Sequence, residues 1–147
     1  PVFIDLDMNT VEPAIGAQRM DKVYAWKSML DMGIHTSGGS DAPVVSFDAM
    51  ENIYFAVTRK NISGQPQEGW IPSEKISVDE AVKLFTKNAA YASYTEDENG
   101  TIEVGKNADF VVLEKDIYKI DPDEIKATKV DMTVLGGEIV YEREVEE

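Results

Sequence analysis

The repeat period of the apolar residues changes once along this chain, and the change falls at a run without any apolar residue, Thr95-Glu96-Asp97-Glu98-Asn99-Gly100. Before this run apolar side chains recur every three to four residues, the spacing that gathers them on one helix face. After it they alternate, as in a strand with one buried face. Charge shifts at the same place. Residues 1–95 carry 12 acidic and 8 basic side chains, whereas residues 96–147 carry 16 and 6. The pattern predicts two structural units, one over 1–92 and one over 93–147.

In the first unit, Pro1-Val2-Phe3-Ile4-Asp5-Leu6 predicts a short buried strand, and its abrupt start predicts a chain cut from a longer one. Arg19 to Met32 predicts a helix with Val23, Trp26, Met29 and Leu30 inward and Gly33 at its C-terminal cap. Ile34-His35-Thr36-Ser37 predicts a second strand, which runs into Gly38-Gly39-Ser40-Asp41-Ala42-Pro43. Phe47 to Val57 predicts another helix, and Ser63 to Pro72 a Gly/Pro-rich loop carrying Trp70. Ser77-Val78-Asp79-Glu80 matches a capping box, and Val78, Ala81, Val82, Phe85 and Ala89 make the inward face of the helix it opens. The order strand, helix, strand, helix, helix implies βα units around a parallel sheet.

The second unit reads as all β. Thr101 to Val104 alternates and ends at the turn Gly105-Lys106-Asn107, Asp109 to Glu114 predicts a buried strand, and Pro122 to Ile125 opens a helical turn. Lys129 to Leu135 and Glu138 to Tyr141 flank Gly136-Gly137, a hairpin loop in which both central residues need positive φ. An acidic tail, Glu142–Glu147, follows.

Composition excludes several functions. There is no cysteine and one histidine, so neither a thiolate site nor a self-contained His-rich zinc site is available. A net charge of −14 repels phosphate backbones and anionic lipid, so neither nucleic acid nor membrane is an expected partner. No stretch is apolar enough to span a bilayer and no signal peptide opens the chain, which gives a cytoplasmic expectation. With 43% apolar and 29% charged residues the chain is foldable rather than disordered.

Chemistry concentrates at Gly38–Pro43. If the preceding strand belongs to a parallel barrel, Asp41 stands at the active-site mouth; otherwise it caps a strand-to-helix turn. His35 is either a ligand or general base, or a strand histidine satisfied by a carbonyl. Asp5 and Asp7 share one strand face, as substrate contacts or as solvated loop carboxylates. Trp26 and Trp70 are core residues or pocket walls. Gly105-Lys106 lacks the flanking residues of a phosphate loop and reads as a turn.

The segments Gly16-Ala17-Gln18-Arg19, Tyr24 to Gly33, Gly39-Ser40-Asp41-Ala42-Pro43-Val44, Ala56-Val57-Thr58-Arg59, Thr86-Lys87-Asn88-Ala89-Ala90-Tyr91-Ala92 and Gly100 to Leu113 carry a resemblance over nearly the whole length. The chain resembles the C-terminal portion of the amidohydrolase superfamily, in the family 3 branch that includes N-substituted formamide deformylase-like enzymes. The resemblance implies the last two βα units of a (β/α)8 barrel followed by strands of a small composite β-sandwich. Val2–Leu6 would be barrel strand seven and Ile34–Ser37 strand eight, with 100–147 structural. It implies hydrolysis of a non-peptide C–N bond in a small amide or N-acyl substrate with a divalent metal, zinc by expectation. Asp41 would be both metal-site residue and the acceptor of the attacking water's proton.

The departures are as informative. The family's His-x-His after strand one, its bridging ligand after strand four and its histidines after strands five and six have no counterparts here, and His35 matches none of them. They would lie upstream, so the isolated chain is expected to hold no metal and to be inactive. A non-catalytic regulatory or interaction protein of amidohydrolase fold, of exoenzyme-regulatory type, is the alternative; a stand-alone β-rich domain is a third. Two parallel strands cannot close a barrel, so residues 1–92 are expected to rearrange or to pair in a homodimer.

Overall fold

A computed structural model describes residues 1–144. It contains α1 (Ile4–Asp7), α2 (Val11–Ile15), a 3-10 helix (Ala17–Lys22), α3 (Trp26–Asp31), α4 (Ala49–Thr58), a 3-10 turn (Pro72–Glu74), α5 (Val78–Phe85) and α6 (Lys87–Ala92). These are followed by β1 (Phe110–Leu113), a 3-10 helix (Pro122–Ala127), β2 (Val130–Leu135) and β3 (Glu138–Glu142).

The core forms around α4. Its sequence is apolar on nearly every side, which suits a helix enclosed on all faces, and Met50, Ile53, Tyr54, Phe55 and Ala56 are all buried. Asp48 caps it, accepting from the Met50 and Glu51 amides. The buried Asn52 is satisfied at both ends: its amide donates to the Asp48 carbonyl at 2.9 Å, and its oxygen accepts from the Val2 amide at 3.3 Å. Ile4 and Trp26 approach from the N-terminal side and Ala81 and Leu84 from α5, while Ile117 and Ile125 reach the same core from beyond residue 100.

Beside this core lies a three-stranded antiparallel sheet in the order β1-β2-β3. Phe110 pairs with Val134 and Leu135 with Glu138. Gly136 and Gly137 have φ of 58° and 84°, the positive values the hairpin loop requires. The capping box also forms: Ser77 Oγ accepts from the Glu80 amide at 3.2 Å, and Glu80 accepts from the Ser77 amide at 2.7 Å. Gly33, with φ of 74°, closes α3, and the Ile34 amide reaches back to the Met29 carbonyl at 3.0 Å.

Several expectations are corrected. Val2–Leu6 is not a strand; Ile4–Asp7 is helical. A short apolar run without a neighbouring strand cannot pair its backbone across a ladder, and a helical turn pairs it locally. Ile34–Ser37 belongs to no sheet, and the one sheet among the described residues is antiparallel. Arg19–Met32 is two helices rather than one, parted by Tyr24 at φ 49°. The helix expected from Phe47 starts at Ala49 and leaves Phe47 exposed. Thr101–Val104 forms no strand. β1 lies where Asp109–Glu114 predicts it, but Phe110, Val111 and Val112 are exposed rather than buried. The acidic tail lies partly outside the described residues.

Candidate functional site

Residues 34–43 run along α5 and α6, held at three points. His35 stacks on Tyr91 with ring centroids 4.3 Å apart. Asn88 donates its side-chain amide to the Thr36 carbonyl at 2.9 Å. The Gly38 amide donates to the Leu84 carbonyl, also at 2.9 Å. Gly38 sits so close to Phe85 that a Cβ there would meet the ring at 2.5 Å, which explains why the chain carries glycine at this contact.

Beyond these anchors the chain turns outward. Asp41 adopts φ of 54°, a left-handed conformation that aspartate tolerates better than most residues, and its carbonyl accepts from the Val44 amide at 2.9 Å. Its side chain is exposed. The helical anchors therefore fix the approach of this loop and leave the carboxylate presented to solvent.

The other sequence candidates are not brought to it as a ligand set. Asp5 and Asp7 do not share a face, because two residues apart on a helix they point in different directions. Asp5 accepts from the Ile62 amide at 2.8 Å, and Asp7 accepts from the Tyr24 hydroxyl. His35 is exposed and stacks on Tyr91. Among the described residues, no group of three or more His, Asp or Glu side chains is placed to hold a metal ion. One exposed carboxylate does not make a zinc site, so the residues present do not fit the implied metal by themselves.

Trp26 is buried in the core and Trp70 is partly buried against it. They flank Arg59, whose guanidinium lies 4.7 Å from the Trp26 ring centroid and 5.7 Å from that of Trp70. Arg59 is fully buried and donates to three backbone carbonyls: Trp70 at 2.6 Å, Tyr24 at 2.8 Å and Val23 at 3.4 Å. Burial pushes its pKa down to about 10 against the opposing pull of Glu74 and Tyr24. Glu74, also buried, accepts from the backbone and hydroxyl of Ser28. Burial works against its charge, but the Ser28 and Lys27 hydrogen bonds and the Arg59 charge outweigh it and hold the carboxyl below its usual range. Burial raises the Tyr24 hydroxyl, and its bond to Asp7 adds to the rise. The signal for this cluster was the charged residue closing Ala56-Val57-Thr58-Arg59, a segment otherwise fit only for a core.

Lys106 closes the turn predicted at Gly105-Lys106-Asn107. Its ammonium donates to the Glu96 carbonyl at 2.6 Å and to the Thr101 hydroxyl at 2.7 Å, which ties down the polar run where the period changes.

A family model described as the amidohydrolase family matches residues 1–141. YtcJ of Bacillus subtilis, which bears an amidohydrolase name, is 38% identical over 143 residues, covering 97% of this chain and 27% of YtcJ. The N-substituted formamide deformylase of Arthrobacter pascens is 36% identical over 122 residues, 83% of this chain and 22% of that enzyme. A crystal structure of an amidohydrolase from Thermotoga maritima shares the fold, with a TM-score of 0.61 at 22% identity over 82% of this chain and 26% of its own. The chain belongs to the amidohydrolase family, in its family 3 branch. It spans about a quarter of the length of the curated relatives it matches. Among the described residues, no helix is long and apolar enough to cross a membrane.

Proposed function

We propose that this chain is the C-terminal portion of a metal-dependent amidohydrolase that cleaves a non-peptide C–N bond in a small amide or N-acyl substrate, and that it is inactive alone. Asp41 is the residue this portion contributes to the chemistry. The observation that carries the reading is its placement: a loop anchored at His35, Thr36 and Gly38 presents an exposed carboxylate, and among the described residues no set of metal ligands accompanies it.

A carboxylate in that position accepts a proton from the attacking water and delivers it to the departing nitrogen, which leaves as a neutral amine. An ionised aspartate suits the first transfer, and its protonated form suits the second. The residues that would hold zinc belong to the portion this chain does not include.

The test is to express the full-length protein containing this sequence and assay amide and N-acyl hydrolysis with added zinc. Asp41→Asn is expected to lower kcat by about 100-fold or more, the usual contribution of a positioned acid–base group. The 147-residue chain is expected to show neither hydrolysis nor tight metal binding. Wild-type activity in Asp41→Asn overturns the assignment, as does amide cleavage by the isolated chain.

A further inference from the structure

Six asparagines lie along this chain, and one of them, Asn99, precedes a glycine. Glycine has no side chain to shield its backbone nitrogen from the carbonyl of the residue before it. The fold dictates that glycine. Gly100 has φ of 88°, and a Cβ there would lie 2.7 Å from the Ala90 Cβ and 3.0 Å from the Lys87 Cα. Close contact with α6 therefore fixes the second member of the Asn99-Gly100 pair.

The peptide unit between the two is unevenly held. Its nitrogen, that of Gly100, donates to no acceptor among the described residues, whereas the Asn99 amide before it is bonded to the Thr95 carbonyl at 2.8 Å. Its oxygen, that of Asn99, lies 3.5 Å from the Lys106 ammonium, which the Glu96 carbonyl and the Thr101 hydroxyl hold in place. A cation at that oxygen draws electrons out of the peptide and makes its N–H easier to deprotonate. The Glu103 carboxylate lies 3.7 Å from the same ammonium, but its side chain is 63% exposed and solvent weakens that pair.

Asn107 acts on the other reacting group. Its side-chain amide donates to the Asn99 side-chain oxygen at 2.9 Å, and its backbone amide is fixed to the Glu98 carbonyl, also at 2.9 Å. The first of these bonds polarises the Asn99 side-chain carbonyl and meets the negative charge that grows on its oxygen during attack. Asn99 and Gly100 are both partly exposed, so water reaches the pair.

We propose that Asn99 is a self-modification site, at which Lys106 and Asn107 promote ring closure of its side chain onto the Gly100 nitrogen. That nitrogen bonds to the Asn99 side-chain carbonyl carbon, and the bond from this carbon to the side-chain nitrogen breaks. Ammonia leaves, carrying the proton that the Gly100 nitrogen gives up. Water then opens the cyclic imide at either carbonyl and leaves aspartate or isoaspartate, with no redox change and no cofactor. The isoaspartate product adds a methylene to the backbone directly before Gly100, where the Ala90 contact leaves no slack. None of this depends on the hydrolase reading.

Peptide mapping of the full-length protein, held at neutral pH and physiological temperature in heavy-oxygen water, tests it. Asn99 is expected to become aspartate and isoaspartate with one labelled oxygen in each. Conversion should run at least about tenfold faster than in the free peptide Asp-Glu-Asn-Gly-Thr-Ile, which has the same pair without Lys106 and Asn107. Conversion no faster than in the peptide overturns the proposal. Asn107→Ala is expected to slow it about tenfold or more with circular dichroism unchanged, because the Glu98 carbonyl still holds the backbone there. Lys106→Arg keeps the cation and should keep most of the rate, whereas Lys106→Met should lose about tenfold. An undiminished rate in Asn107→Ala or in Lys106→Met overturns the inference.

Discussion

Arg59 occupies a left-handed conformation at the end of α4, at a cost of roughly 1–2 kcal/mol for a residue other than glycine. What it gains there is the join between three pieces of chain: the Val23–Tyr24 bend, the end of α4 and the Trp70 loop. Arg59→Met keeps the apolar stem but removes the donors to the Trp70 and Val23 carbonyls, leaves the Tyr24 carbonyl with the Trp26 amide alone, and leaves Glu74 buried without its nearby cation. We expect a loss of about 1–3 kcal/mol for each polar group left buried without a partner, read as a lower urea midpoint. Arg59→Lys keeps the charge but not the fork of donors, and should fall between the two. Glu74 makes a pH-dependent contribution whose sign follows from its lowered pKa. A carboxyl with a lower pKa when folded stabilises fully above its unfolded value of about 4.3, and loses that contribution as pH falls through the folded value. The stability gap between wild type and Glu74→Gln should therefore be flat from pH 7 to 5 and close below pH 4. A gap that widens in acid would contradict the assignment.

At the scale of elements, what was legible in the sequence was whatever the backbone decides locally. The Ser77 capping box satisfies helix amides within three residues, and the Gly136-Gly137 loop fixes the hairpin with two φ values. Both appear in the fold. Ser77→Ala should cost about 1 kcal/mol, with helical ellipticity declining at a lower urea concentration than in wild type. What was not legible depended on neighbours. Val2–Leu6 has the composition of a strand, but a strand needs a partner, and none adjoins it among the described residues. Asp5 and Asp7 would share a face in a strand and do not in the helical turn they occupy. Trp26 and Trp70 meet around Arg59 from 33 residues before it and 11 after, a meeting no local spacing announces. For the site, the outward turn at Asp41 was readable in Gly38-Gly39-Ser40-Asp41, whereas its support from Leu84, Asn88 and Tyr91 came from a helix pair some fifty residues on.

For the molecule as a whole, the decisive quantity is a charge of −14 on 147 residues. Self-repulsion on that scale opposes the compact state, and the opposition depends on ionic strength because its charges are mostly exposed. Screening shortens the Debye length from about 30 Å at 0.01 M salt to about 8 Å at 0.15 M. Local attractions such as Lys60–Asp123, at 2.7 Å, operate well inside either length and lose little. Repulsion summed over 28 acidic side chains acts across tens of ångströms and loses much more. Two opposing salt effects thus differ in range, and the long-range one dominates. The thermal midpoint should rise between 10 mM and 150 mM sodium chloride, with most of the gain below 100 mM. Sodium sulfate at matched ionic strength should add a further increment, since sulfate also strengthens apolar burial. A midpoint that falls on adding sodium chloride would mean that the close ion pairs, rather than the net charge, set the electrostatic balance of the fold.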